Sequence, residues 1–331
     1  MNILVTGGTG FIGSNLVHEL THNPRYKVHI LVHNMDEIWR LEKIKNKITL
    51  HEIDLADYKK IRLFIHSIKP HIIYHLGAFG GRPHELDRYK IYDVDFYGTI
   101  NLLNSCKEVG FEFFINTGSS SEYGKMDIPM SESLLLEPIS DYGVAKAAAT
   151  HYCQKEALFH SLPIYTVRPF AVYGDYEMPL RLIPTIITSA LQNKPLHLSA
   201  PHYVRDYIYV KDMIKIYTML IEKQPQEHYI FNAGTGIQST VQDVVDTVGK
   251  LLGKELTVEW GKHAPRPWEP TNWIADISRG KKVLGWSPEY TLEDGLRSSI
   301  EWFRGNLEYY VKGKDAVTAR AKTINNHPSV S

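Results

Sequence analysis

The sequence predicts an α/β fold: a doubly wound parallel sheet carrying a smaller C-terminal α/β lobe. Three observations lead there. Through the first half of the chain, short runs rich in Val, Ile and Phe alternate with stretches of helical spacing. A glycine-rich turn joins the first of those runs to the first helical stretch. After Pro169 the alternation loosens, and prolines at 169, 179, 184, 195, 201, 225, 265, 267, 270 and 288 divide the chain into shorter elements. Near-continuous apolar strands separated by helices belong to sheets covered on both faces. Right-handed crossovers then set a ligand crevice beyond the carboxyl ends of the strands.

Strands are expected over residues 3–5, 28–32, 48–53, 72–76, 113–116 and 164–167, with helices at 11–20, 59–68, 92–109 and 142–159 between them. Further helices at 182–192, 210–222, 241–251 and 292–303 would build the lobe, and a strand at 229–232 is placed to return to the main sheet. The expected division is 1–168 for a dinucleotide-binding domain, 169–310 mainly for a substrate lobe, and 311–331 for a polar tail with little periodicity.

Composition removes several classes of protein. The 37 Lys and Arg residues balance 37 Asp and Glu residues, so the basic excess of a nucleic-acid binder is missing. No apolar run approaches the roughly 20 residues that cross a bilayer. The chain starts directly on a strand, without the basic, apolar and cleavage segments of a secretory signal. Two cysteines, Cys106 and Cys153, are too few for a disulfide framework or a four-ligand zinc site. Both fall in helical stretches, as buried small apolar residues do. The expectation is a cytoplasmic protein with no metal, nucleic-acid or membrane partner.

Gly7-Gly8-Thr9-Gly10-Phe11-Ile12-Gly13 follows an apolar strand and opens an apolar-periodic helix. Glycines at 7, 10 and 13 suit a tight turn, a close backbone approach to a pyrophosphate, and close helix–strand packing. The helix N-terminus then offers its N–H groups and dipole to the anion. This is a Rossmann-type dinucleotide turn, with Gly7, Thr9, Gly10, Phe11, Ile12 and Gly13 as its cofactor residues. At the end of the second strand a carboxylate would bind the ribose hydroxyls and repel a 2′-phosphate. His33 and Asn34 stand there instead, with Arg40 further on as a cation. That pattern favours NADP(H), with NAD as the other candidate.

Tyr142 and Lys146 lie four residues apart, on one helix face. A phenol with a pKa of about 10 transfers protons poorly near neutrality. A lysine charge one turn away, beside an oxidised nicotinamide, would lower that value. The preceding strand runs into Thr117-Gly118-Ser119-Ser120-Ser121-Glu122-Tyr123-Gly124, which sets hydroxyls at a strand's carboxyl end.

With these residues the sequence resembles an extended short-chain dehydrogenase/reductase, in the nucleotide-sugar epimerase/dehydratase/4-ketoreductase branch. The resemblance spans residues 1–305. It runs through the glycine turn, Asp54, His75-Leu76-Gly77-Ala78, Ser119, Tyr142 and Lys146. It continues with Arg168-Pro169-Phe170, the stretch from Arg205 to Val210, and Asp276 through Leu284-Gly285-Trp286. The resemblance implies Ser119, Tyr142 and Lys146 as the catalytic group, with Lys146 also on the nicotinamide ribose. It implies Asp54 and Leu55 beside the adenine and Gly77 and Ala78 along the diphosphate and ribose. Leu76 and Pro169 complete the cofactor set. For a nucleoside-diphosphate sugar it implies Ser120, Ser121, Arg205, Arg266 and Glu269, where guanidinium–phosphate geometry makes the arginines physically sensible. It also implies a homodimer through the helices at 92–109 and 142–159, with Leu102, Leu103, Ala147, Ala148 and Tyr152 as contacts.

The departures are informative. The 4,6-dehydratases of this branch carry an Asp-Glu pair directly after the catalytic threonine, and here those places are Ser120 and Ser121. Glu122 comes one residue later, where a one-residue shift reverses the side chain's direction, so it reads as structural or orienting. Ala171 replaces an asparagine that in many epimerases helps hold the diphosphate, and Asp95 replaces another asparagine common in the family. The run 118–124 resembles that of 4-keto-6-deoxysugar reductases. Taken with the missing ribose carboxylate, it favours an NADPH-dependent reductase of a nucleoside-diphosphate-4-keto-6-deoxyhexose. In that reading hydride goes to C4 and Tyr142 donates the proton. The alternative is an NAD-dependent nucleotide-sugar epimerase.

Overall fold

A computed structural model describes residues 1–35, 38–81, 85, 87–227, 229–262 and 269–310. The strands are β1 (Asn2–Thr6), β2 (Lys27–Val32), β3 (Ile48–Glu52), β4 (Ile72–His75), β5 (Phe113–Thr117), β6 (Ile164–Pro169), β7 (Ala171–Tyr173), β8 (Leu196–His197), β9 (Val204–Arg205), β10 (Tyr207–Tyr209), β11 (Ile230–Ala233), β12 (Ser239–Thr240) and β13 (Val258–Glu259). The first six and β11 form one parallel sheet in the order β11-β6-β5-β4-β1-β2-β3. The strand expected at 229–232 does return to the main sheet, beside β6. Short pairs β7–β10, β9–β12 and β8–β13 lie outside it.

The helices are α1 (Phe11–Leu20), α2 (Tyr58–Ile68), α3 (Arg88–Tyr92), α4 (Gly98–Val109), α5 (Asp141–His160), α6 (Leu182–Leu191), α7 (Val210–Lys223), α8 (Val241–Leu252) and α9 (Leu292–Gly305). Strand alternation sorts them onto two faces, because successive side chains point to opposite sides of a sheet. Ile3, Val5, Ile30, Ile72 and Tyr74 share a core with Leu16 and Val17 of α1 and Met213 and Tyr217 of α7. Leu4, Leu31, Ile73 and Phe114 point the other way, onto Ile61 and Ile65 of α2, Leu102, Leu103 and Cys106 of α4, and Cys153 and Ala157 of α5.

That second core corrects the expected dimer contacts. Leu102 and Leu103 are fully buried within the single chain, and Ala147 is buried as well, so none of the three is presented to a twin subunit. Ala148 and Tyr152 are half-buried. The helix expected at 92–109 is also interrupted: a π-helical turn, Asp93–Tyr97, joins α3 to α4. A 3₁₀ stretch, Trp39–Lys47, was not expected at all. The tail expected at 311–331 lies outside the described residues. Among the described residues no helix is long and apolar enough to cross a membrane.

The winding of the sheet reverses between β1 and β4, and ligand crevices of open α/β sheets form at such a switch point. Thr6 and His75 end the two strands that meet there, and Thr117 and Pro169 end the next two, β5 and β6.

Candidate active site

The glycine turn is built by close approach. Gly7 has φ 67°, and a Cβ there would lie 2.6 Å from the Leu76 carbonyl and 2.7 Å from the Gly77 nitrogen. A Cβ on Gly13 would collide with the Gly7 carbonyl oxygen. Gly10 differs, since its Cβ would meet only the Gly7 oxygen, at 3.1 Å. No side chain caps α1 behind it, so the first-turn N–H groups are left for an anion. Thr9, Phe11 and Ile12 are half-buried around this opening. The cradle fits the pyrophosphate of a dinucleotide.

On the adenosine side, His33 is exposed and its Nδ1 lies 3.6 Å from Asp54 Oδ2. A carboxylate is therefore present beside the end of β2, but it comes from the loop after β3. Leu55 is buried, and its Cδ1 would stand 2.6 Å from a Cβ on Gly77. Leu76 and Asn34 are half-buried and Ala78 is exposed. Arg40 is not where a 2′-phosphate donor was expected. It is buried, with Nε donating to the Tyr176 carbonyl at 2.7 Å and Nη1 to the Thr9 carbonyl at 3.2 Å. Its guanidinium braces the glycine turn to the loop after β7.

A buried hydrogen-bond chain backs the crevice. The Gly77 N–H donates to Thr6 Oγ1 at 3.0 Å, and Thr6 Oγ1 lies 2.7 Å from His75 Nδ1. His75 Nε2 lies 2.8 Å from Thr99 Oγ1, which donates to the Asp95 carbonyl at 2.7 Å. Because the Thr99 proton is committed to Asp95, Nε2 of His75 carries the ring proton and Nδ1 accepts from Thr6. Burial pushes His75 down to about 3, and the Lys146 charge acts in the same direction.

Ser119 caps the 3₁₀ turn Ser120–Glu122, with Oγ accepting the Ser121 N–H at 3.1 Å. Glu122 Oε1 accepts from the Ser119 N–H at 2.8 Å and the Thr150 hydroxyl at 3.0 Å. Its Oε2 takes Arg168 Nε at 2.7 Å. Arg168 Nη1 donates to the Tyr123 hydroxyl, which donates to Asn232 Oδ1 at 2.7 Å. Glu122 is thus bound up in holding Ser119, in the orienting role its sequence position suggested. Helix α5 begins at the Ser140 cap and lies close on the serine turn, since a Cβ on Gly143 would come 2.6 Å from the Ser121 carbonyl oxygen.

This packing brings Tyr142 near enough to Ser119 for the serine side chain to act on its phenol. Burial holds that phenol well above its ordinary value, and the Asp95 charge adds to the rise; the nearby Ser119 side chain and the Arg181 charge oppose them. Desolvation sets the direction, and the lowering expected from a lysine one turn away is not among the effects on this phenol. Lys146 itself is almost fully buried, at 2% exposure, and its charge acts on Asp95.

On the sugar-nucleotide side, Arg205 Nη1 lies 2.6 Å from Glu269 Oε1, and the guanidinium stands 5.5 Å from the Trp273 ring centre. Asp206, next in sequence, is fully buried and binds the backbone N–H groups of Thr235, Gly236 and Ala275. Ser120 is buried, Ser121 half-buried, and Pro169 ends β6 half-buried. Arg266 lies outside the described residues. Sequence reasoning missed Thr6, Thr99, Asp206 and Trp273 as site residues. Asp206 alone carried a signal, as part of the run after Arg205.

A family model described as GDP-mannose 4,6 dehydratase matches residues 4–299. A trifunctional UDP-glucose 4,6-dehydratase/UDP-4-keto-6-deoxy-D-glucose 3,5-epimerase/UDP-4-keto-L-rhamnose-reductase of Arabidopsis thaliana is 30% identical, over 93% of this chain and 48% of that protein. The chain therefore spans about half the length of that relative. UDP-glucuronic acid 4-epimerase from Bacillus cereus, solved with UDP-glucuronic acid and NAD, superposes with a TM-score of 0.81 at 28% identity, covering 92% of this chain and 99% of that one. dTDP-glucose 4,6-dehydratase from Bacillus anthracis, solved with NAD, gives 0.82 at 26% identity, covering 95% and 99%. These findings overturn the 4-ketoreductase expectation. Relatives matched along their full length are nucleotide-sugar epimerases and 4,6-dehydratases, and the one reductase activity named here belongs to a trifunctional protein of twice the length. The serine run 118–124 was therefore a misleading guide to chemistry. The glycine turn, the parallel sheet around it and the match over 4–299 lead to one conclusion: the chain belongs to the GDP-mannose 4,6 dehydratase family, among the extended short-chain dehydrogenases/reductases.

Proposed function

We propose that the chain is an NAD-dependent nucleotide-sugar epimerase that inverts a ring carbinol carbon through a transient ketone. The observation that carries this reading is the serine turn against α5. Ser119 acts on the Tyr142 phenol where α5 closes on the serine turn, while the two positions after it bring the hydroxyls of Ser120 and Ser121 and no carboxylate. Such a site is equipped to move one proton to and from a sugar oxygen. It lacks an acid–base pair for eliminating water at those positions.

The dinucleotide, when bound on Gly7–Gly13, supplies reversible hydride uptake. The chain's own residues handle the proton. Tyr142 takes it from the sugar hydroxyl and returns it to the same oxygen, Ser119 holds that oxygen, and Lys146, one helical turn on, would hold the nicotinamide ribose. No proton or electron pair is lost over the cycle, so the cofactor is not consumed. Arg205 and Arg266 would grip the diphosphate. NAD is favoured over NADP because Asp54 puts a carboxylate beside His33 and Arg40 is bound to two backbone carbonyls. The NAD held by the solved relatives supports the same choice.

The test is to identify the dinucleotide that copurifies and then offer UDP- and dTDP-hexoses and hexuronates without added cofactor. Epimer should form, with NAD found in the protein. Tyr142→Phe should lose about 10²–10⁴-fold in turnover while retaining the dinucleotide, whereas Lys146→Ala should lose both. Net, stoichiometric consumption of NADPH would defeat the reading.

A further inference from the structure

Arg168 and Glu122 form an ion pair sealed from water, Nε to Oε2 at 2.7 Å, with side chains 1% and 0% exposed. Taking two charges out of water is expensive, and apolar side chains of the same volume are often the more stable choice. The pair calls for a reason other than stability, and its contacts supply one.

The carboxylate lies against the backbone of Ser119. Glu122 Oε1 accepts the Ser119 N–H at 2.8 Å and the Thr150 hydroxyl at 3.0 Å. Ser119 Oγ in return accepts the Ser121 N–H at 3.1 Å, so the serine is held at its nitrogen and at its hydroxyl oxygen. With that oxygen accepting, the hydroxyl proton is the part left to donate. The pair also presses on the residue before the serine. A Cβ on Gly118 would collide with Glu122 Oε1 and stand 3.2 Å from Arg168 Cγ.

The guanidinium is fixed from its other side. Nη1 donates to the Tyr123 hydroxyl at 3.0 Å, and that hydroxyl donates to Asn232 Oδ1 at 2.7 Å. Asn232 is anchored in turn, its Nδ2 on the Met130 carbonyl at 2.8 Å and its N–H on Glu132 Oε1 at 2.9 Å. Arg168 stands on β6 and Asn232 on β11, neighbouring strands of the main sheet. One planar fork thus carries the position of the sheet to the serine turn.

We propose that Arg168 is a positioning residue for Ser119: its guanidinium, seated on the sheet, clamps Glu122 and so directs the serine hydroxyl toward the sugar oxygen that Tyr142 deprotonates. The proposal rests on the reading of Ser119 as the group that holds that oxygen.

Arg168→Lys keeps the charge but cannot bond Glu122 and Tyr123 through one planar fork. It should lower kcat for the sugar nucleotide by about 10²-fold, with KM and retained NAD unchanged. In a Ser119→Ala background the same substitution should bring no further loss, because its effect passes through the serine. Glu122→Gln, which keeps the shape and removes the charge, enters the same cycle if Arg168→Lys does not fold. Equal losses in the two backgrounds, or a folded variant with wild-type kcat, overturn the proposal. A second measurement needs no substrate. Hydrogen exchange at the Ser119 amide of the NAD-loaded protein should quicken in either variant while the amides of β1 and α1 hold their rates. An unchanged Ser119 rate in a folded variant overturns the proposal as well. Absence of turnover on every sugar nucleotide would count against the epimerase reading and leave the exchange rate to decide for Arg168.

Discussion

His75 sits neutral between Thr6 and Thr99, and burying it in that form has a cost that shows only in acid. In the unfolded chain the imidazole takes a proton near its ordinary value of 6.5, whereas in the fold it resists protonation down to about 3. Between those values the unfolded state binds more protons, so stability is complete above 6.5 and falls as the pH drops toward 3. One such group changes stability by up to about 1.4 kcal/mol per pH unit. Urea unfolding at a series of pH values should show this slope, and His75→Asn should flatten it relative to wild type. Equal slopes for the two proteins would mean that the ring is not held neutral. Of this arrangement the sequence displayed only a histidine ahead of Leu76-Gly77-Ala78. Its partners are 69 and 24 residues away, and no local pattern announces them.

Among elements, the strand–turn–helix unit at the N-terminus was the most legible, because each glycine answers a steric demand that spacing alone expresses. Gly13 and Gly10 should nevertheless fail differently. In an open helix position alanine is favoured over glycine by about 1 kcal/mol. At Gly13 the clash with the Gly7 carbonyl oxygen should override that gain, because overpacking of this kind costs roughly 1–3 kcal/mol. Gly13→Ala should lower both the melting temperature and NAD affinity. Gly10→Ala, whose one close contact is at 3.1 Å, should keep the melting temperature and lose affinity only. If Gly10→Ala binds NAD as wild type does, the pyrophosphate is not held there. The long strands and helices could be read because periods of 2 and 3.6 survive in sequence. The π-turn at Asp93–Tyr97 could not, since one added residue in a helical run leaves the polar and apolar pattern almost unchanged.

For the whole molecule, burial decides which surfaces remain to make an assembly. The outward side chains near α4 and on α5 include Tyr97, Val144, Leu158 and Phe159, at 55%, 39%, 60% and 78% exposure. They are the apolar residues a twin subunit would cover, in place of Leu102 and Leu103. Sedimentation should give a species of about twice 37.9 kDa, and Leu158→Glu with Phe159→Glu should reduce it to one chain without unfolding. A wild-type protein that sediments as a single chain at micromolar concentration would refute this. Arg40 marks the limit of sequence reading at this scale. Its charge was visible, but its acceptors lie 31 and 136 residues away, and burial turned an expected phosphate contact into a brace. Through that brace the turn under the pyrophosphate and the loop leading to Arg181 are one mechanical piece. A sugar nucleotide that leaves by displacing the loop pulls on the dinucleotide's seat as well. On the epimerase reading the lifetimes of the two bound molecules should then be linked quantities, and a change in this loop that quickens departure of the one should shorten residence of the other.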